Sequence, residues 1–277
     1  MERAGADTVE QPDVRAVAQT DVTTLGEAGG CAVSQSVVGT CEPVGAHGVA
    51  VWWQFAGSDP RAQARALLRT TAAEAVGAPT ADVRVGRAAS GAPELSGAAS
   101  GLRAGVSHTR GLVAVALAGP GARLLGVGVD AEAVRPLDAI ALAERWFTAD
   151  EAAWVRALPP GLRSTGLLDL WTRKEAAGKA LGTGLRAGGL CRAIGVPPPG
   201  APPGSSRPLA PLPGAPRLTG ALLPAPPGYV LACAVSGAGT PSLPVRVAER
   251  SAEPCTRPRS SSRARARSRP AWAAICW

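Results

Sequence analysis

From Gly48 the chain runs Gly-Val-Ala-Val-Trp-Trp-Gln-Phe-Ala, a β-branched and aromatic stretch that predicts a strand. Asp59-Pro60 comes next and predicts a helix, because proline suits the first helical position, where its missing N–H is not needed. Ala64, Leu67, Leu68, Thr71 and Ala75 then recur at helical spacing. The polar, glycine-rich stretch 84–101 predicts loop. Two apolar runs, 113–118 and 124–130, flank Gly119-Pro120-Gly121 and read as neighbouring strands.

The period then changes. Residues 137–146 predict a helix. Thr148 opens a second, with Glu151 three residues on, a capping box in which each partner satisfies a backbone N–H the helix leaves open. A longer helix is predicted over about 163–181, ending at Gly182. Residues 196–217 are proline-rich, a composition that suits neither helix nor central strand. Residues 229–236 and 244–247 read as returning strands. Two successive strand-then-helix units predict an α+β (α/β-type, two-layer) protein with two similar halves.

The ends differ from the middle. Residues 1–45 carry two Arg against seven acids and show no sustained periodicity; residues 251–277 carry six Arg against one Glu in a low-complexity run. Both predict disorder. Expected boundaries of the ends are therefore 1–45 as an acidic extension and 251–277 as an Arg-rich tail. With a net charge of +8, the middle remains basic once the opposed ends cancel, which suits an acidic partner or a phosphate-rich ligand.

Several classes are disfavoured. No apolar run reaches the roughly 18 residues of a membrane span, and the acidic start lacks the form of a signal peptide, so a cytoplasmic protein is expected. Six cysteines without a CxxC pair and only two histidines argue against structural zinc and against a disulfide framework. The tail arginines could contact nucleic-acid phosphates, but no aromatic residues interleave them and no recognised binding motif accompanies them.

Three segments carry candidate chemistry. In Gly128-Val129-Asp130-Ala131-Glu132 the carboxylates stand two residues apart, on one face of a strand. They are either two solvated acids or a pair held together by a hard cation such as magnesium. In Trp171-Thr172-Arg173-Lys174-Glu175-Ala176-Ala177-Gly178-Lys179, Glu175 and Lys179 share a helix face, as a surface ion pair or as part of a site. The third segment, Ser107-His108-Thr109, reads as a loop leading into the Val113 strand.

Taken in order, these segments and Phe147-Thr148-Ala149-Asp150-Glu151 resemble the motifs of the Sfp-type 4′-phosphopantetheinyl transferases, across roughly residues 48–247. The resemblance implies two pseudo-symmetric strand/helix subdomains, residues 46–123 and 124–250, with the active site between them, in a monomer. It implies Mg2+ held by Asp130, Glu132 and Glu175, coenzyme A as substrate, and an acidic acyl or peptidyl carrier protein as partner. Asp130, Glu175 and Lys179 would be catalytic, with Glu175 receiving the carrier serine's proton and Lys179 assisting the leaving phosphate. Ser107, His108, Lys174, Arg61 and Arg65 would bind coenzyme A. Thr148 and Glu151 read as a structural cap, and Trp171 as an anchor for the helix. One departure stands out: where the family carries a basic residue between Gly and Pro, this chain has Gly91-Ala92-Pro93. That loss leaves room for a catalytically impaired relative that still binds carrier proteins.

Overall fold

The computed structural model describes residues 34–35, 48–120, 124–186, 188–237 and 245–250. Apart from Ser34–Gln35, the expected acidic extension lies outside these residues before Gly48, and so does the Arg-rich tail from Ser251 onward. In chain order the elements are β1 (Ser34–Gln35), β2 (Val49–Phe55), α1 (Pro60–Val76), β3 (Val83–Arg87), β4 (Pro93–Gly97), β5 (Arg103–Thr109), β6 (Leu112–Ala118), β7 (Leu124–Ala133), α2 (Ala139–Trp146), α3 (Ala149–Ala157), α4 (Pro160–Ala180), β8 (Arg207–Leu212), β9 (Ala215–Leu223), β10 (Tyr229–Gly237) and β11 (Val245–Glu249). A 3-10 turn, Thr80–Asp82, precedes β3.

A five-stranded sheet has the order β1-β11-β2-β6-β5, and a four-stranded antiparallel sheet has the order β7-β10-β9-β8. The sheets pack face to face. Val49, Val51 and Trp53 of β2 and Ala114 and Ala116 of β6 share one core with Val129, Ala131, Leu231 and Cys233 of the second sheet. The opposite faces are covered as well. Trp52, Val113, Val115 and Leu117 pack on Leu67 and Leu68 of α1, while Val230, Ala232 and Leu222 pack on Leu167 and Leu170 of α4. Strands buried on both faces read as continuous apolar runs, which is why β2 and β6 look alike in sequence. Each half is thus a helix-on-sheet unit, and the fold is α+β.

Several expectations change. The runs 113–118 and 124–130 are not paired strands: β6 already lies between β2 and β5, so β7 enters the other sheet. Residues 84–101, expected as loop, contain the β3–β4 hairpin. The proline-rich stretch holds β8, at an edge of the sheet where missing N–H groups cost no ladder bonds, and the first residues of β9. β5 and β9 were not foreseen. Helix α4 starts at Pro160 rather than near 163, with proline in its first turn. β11, expected within the second half, joins the first sheet in parallel with β2.

Other local readings hold. Asp59 caps α1 by accepting from Ala62 N at 3.0 Å, and both halves of the Thr148–Glu151 capping box are present. Among the described residues no helix is long and apolar enough to cross a membrane.

Candidate active site

The sheets meet along a seam between β5 and β7, the edge strands of their respective sheets. Gly105 makes the approach possible: a Cβ there would lie 3.0 Å from Val127 O and 3.1 Å from Val129 N. Edge backbone groups need partners, and hydroxyls of β5 supply them. Ser107 Oγ accepts from Ala131 N at 3.2 Å, and Thr109 Oγ1 accepts from Ala133 N at 3.4 Å. His108 therefore lies on a strand, not in the expected loop.

Helix α4 lies directly on β7. A Cβ at Gly128 would sit 2.1 Å from Ala176 O, and one at Gly126 would sit 2.1 Å from Ala180 O. Glycine at alternate positions leaves space for the helix backbone, and the next residue on that strand face is Asp130. The close packing brings Lys179 to the strand. Its Nζ donates to Asp130 Oδ1 at 2.7 Å, to Val129 O at 3.1 Å and to Val106 O at 3.4 Å, so it ties β5, β7 and α4 together.

Asp130 is buried. Its Oδ1 also accepts from Ser107 Oγ at 2.9 Å, whereas Oδ2 is buried without a hydrogen-bond partner among the described residues. Glu132 accepts from Arg135 at 2.9 Å. Burial pushes the Glu132 carboxyl up, and the charge of Asp130 adds to this against the opposing effect of Arg135. Glu175 is pushed up to about 8, first by burial and then by Asp130, with Glu132 adding and Lys179 opposing. The three carboxylates therefore share one local field. As they stand, no group of three or more His, Cys, Asp or Glu among the described residues is gathered closely enough to hold a metal ion.

His108 is half-buried. Burial lowers its imidazole below the ordinary value; Arg61 and Lys179 push the same way, against its backbone hydrogen bond and Asp130. Arg61, exposed in the first turn of α1, is thus electrostatically part of the site. Arg65 donates a hydrogen bond to Val85 O of β3.

Lys174 requires a correction. The sequence assigned it to coenzyme A phosphates, but its side chain is fully buried, donates to Glu151 Oε2 at 2.6 Å and to Arg192 O, and lies 4.8 Å from the Phe147 ring centroid. An ammonium enclosed in this way cannot reach a ligand at the seam without unpacking α3 from α4. Glu151 is the hub, accepting also from Thr148 N at 3.1 Å and Ile194 N at 2.9 Å. Burial lowers the pKa of Lys174, and Glu151 opposes that shift. Trp171 is partly buried beside Phe147, their ring centroids 6.5 Å apart, in the core beneath the second sheet.

Beside the seam lies a cavity of about 720 Å3, with Ala92, Pro93, Arg103, Leu125, Lys179 and Arg217 in its lining. Lys179 belongs to both the cavity and the carboxylate site.

Residues 126–209 match the family model for the 4′-phosphopantetheinyl transferase superfamily. Over this segment the chain is similar to that superfamily. The segment contains Asp130, Glu132, the Phe147–Glu151 motif, Glu175 and Lys179, whereas Ser107, His108, Arg61 and Arg65 lie before it. The chain is also similar to the 4′-phosphopantetheinyl transferase psf-1 of Bacillus pumilus, at 39% identity over 62 residues. That stretch is 22% of this chain and about a quarter (26%) of the relative.

Sequence reasoning missed Arg103, Arg217 and Arg135. Arg103 and Arg217 belong to strands far apart in the chain, neither foreseen, and no local pattern connects them.

Proposed function

We propose that this chain transfers the 4′-phosphopantetheine arm of coenzyme A to a serine of an acyl or peptidyl carrier protein. The observation that carries the reading is the mutual electrostatic influence of Asp130, Glu132 and Glu175 at one seam, with one Asp130 oxygen buried and without a hydrogen-bond partner among the described residues. A buried carboxylate oxygen without a donor is costly, and a cation would relieve it. The donors are all hard oxygens, which fits magnesium. Asp130, Glu132 and Glu175 are the residues that would hold it. When bound, Mg2+ would supply charge neutralisation at the attacked phosphate.

The chain's own residues then divide the work. Glu175, ionised when it faces a bound cation, would accept the hydroxyl proton of the carrier serine. The serine oxygen attacks the β-phosphorus of coenzyme A. The bond to the bridging oxygen breaks, and 3′,5′-ADP departs carrying that oxygen. Lys179 offsets the charge that develops on the leaving phosphate. His108 and Arg61 add positive potential on the first-half side of the seam, and Ser107 orients Asp130. Arg65 remains a candidate for the nucleotide end. Transfer of this kind depends mostly on positioning and charge, so few groups suffice.

The reading includes an acidic carrier domain as partner, a monomeric transferase and a cytoplasmic setting. It retains the halves 46–123 and 124–250 as functional units, with β11 returning to the first sheet.

The test is incubation of the purified chain with carrier domain, coenzyme A and magnesium, followed by mass spectrometry of the carrier. A gain of one phosphopantetheine is expected, abolished in Asp130→Ala, in Glu175→Ala and by excess chelator. No gain on fatty-acid, polyketide and peptide carriers from folded protein would sink the enzymatic reading. Because Ala92 stands where a cation is expected, carrier binding without transfer would favour an impaired relative.

A further inference from the structure

Each of the two strand carboxylates is already held by a cation of the chain, and the two holds differ in kind. Lys179 reaches Asp130 from inside the protein: its side chain is largely buried and also donates to Val129 O and Val106 O. Arg135 reaches Glu132 from the rim. Its Nη1 donates to Glu132 Oε2 at 2.9 Å and to Ala133 O at 3.0 Å, and its side chain is 51% exposed.

The backbone around Arg135 is fixed on both sides. Val134 N donates to Gly228 O at 2.8 Å, and Leu137 N donates to Ser164 Oγ at 3.1 Å. Pro136 disfavours helical backbone at the residue before it, so the short link from β7 to α2 has little freedom. An anchored segment therefore presents the guanidinium to Glu132.

A carboxylate oxygen that faces a guanidinium is not free to face a metal ion. In this arrangement no three His, Cys, Asp or Glu among the described residues are gathered closely enough to hold one. Gathering Asp130, Glu132 and Glu175 about one cation requires a hold to loosen. Lys179 has three acceptors in partly buried surroundings. An exposed ion pair is worth little in water and is screened by salt, so the Arg135 hold is the one that yields.

We infer that Arg135 is a positioning residue that holds Glu132 away from the cation site and releases it when the metal binds. The guanidinium and the metal compete for one carboxylate, and Arg135 sets metal affinity below what the three carboxylates alone provide. This rests on the proposed function for the identity of the metal.

The experiment is calorimetric titration of the full chain with Mg2+ alone, without coenzyme A, repeated with Mn2+ followed by electron paramagnetic resonance. Wild type is compared with Arg135→Gln, Glu132→Gln and the double variant. Arg61→Gln is the control, removing a charge of the same site that makes no described contact with Glu132. Arg135→Gln should bind Mg2+ about two- to fivefold tighter than wild type, the scale of one exposed ion pair. In the Glu132→Gln background the same substitution should leave affinity unchanged, because the competing contact is gone. Arg61→Gln should give a smaller gain than Arg135→Gln. Weaker or unchanged binding in Arg135→Gln would overturn the inference, and so would no saturable binding to either wild type or Arg135→Gln. An equal gain in the Glu132→Gln background, or from Arg61→Gln, would overturn it too, by tracing the effect to net charge alone. Failure of the proposed function has a different signature: wild type that binds Mg2+ with this dependence on Arg135 yet modifies no carrier.

Discussion

Lys179 Nζ lies 2.7 Å from Asp130 Oδ1, while Oδ2 of the same carboxylate is buried and without a hydrogen-bond partner among the described residues. One side of Asp130 is thus neutralised from within the chain, and the other is left for a ligand. Asp130→Asn keeps the shape and removes the charge. It should lower kcat/KM by at least about two orders of magnitude, on the scale of losing one preorganised electrostatic contact in an active site. Far-UV circular dichroism should be unchanged. Turnover close to wild type would remove Asp130 from the site.

Lys174 and Glu151 form a buried ion pair, and removing one partner leaves the other uncompensated. Lys174→Met should therefore cost about 3–5 kcal/mol in urea unfolding. The affinity for coenzyme A, measured below the unfolding transition, should stay within about twofold, because the ammonium does not reach the seam. A variant of normal stability that binds coenzyme A poorly would return Lys174 to the ligand.

Gly128 has no room for a side chain. Its Cβ would press on Ala176 O and on Ala180 N, both main-chain atoms of α4, so the helix would have to move. Gly128→Ala should destabilise by about 1–3 kcal/mol, the usual cost of overpacking. Activity should fall further than the folded fraction does, since Glu175 and Lys179 travel with the helix. Gly161→Ala is the control. Nothing lies within 4 Å of that Cβ, and alanine in a helix is favoured over glycine by up to about 1 kcal/mol. Equal activity in the two variants would contradict this account of the seam.

Glu175 sets a pH dependence in chelator-treated protein. Its folded-state value of about 8 lies above the ordinary 4.5, so the folded chain holds this proton more tightly than the unfolded one. The associated stability is fully present below pH 4.5 and is lost as the pH rises towards 8. Melting temperatures across that range should decline with pH, and Glu175→Gln should flatten the decline. Magnesium should stabilise the protein most at the alkaline end, where the carboxylate is free to bind it. A pH profile identical in wild type and Glu175→Gln would show that this carboxyl is not perturbed.

What could be read in the sequence was local. The Asp59-Pro60 start of α1, the Thr148–Glu151 capping box and the glycine end of α4 depend on neighbours within a turn, so residue type and spacing suffice. Asp130 with Glu132, and Glu175 with Lys179, were legible as pairs for the same reason: strand and helix periods fix which side chains share a face. Sequence alone also located the four motifs.

Other features depend on contacts between distant segments. The assignment of β6 and β7 to different sheets follows from which edges are already occupied, which no run of apolar residues records. The Lys174 error has the same origin. Within its helix it is a cation next to Glu175, but successive helical residues point in different directions, and only packing against α3 shows that it faces Glu151. Gly126 and Gly128 look like ordinary strand weakeners until α4 is seen lying on them. The meeting of Lys179 with Asp130 was decided by α4 packing on β7, and that of Arg103 with Arg217 around one cavity by the two sheets closing face to face, because burying apolar faces is what brings those segments together.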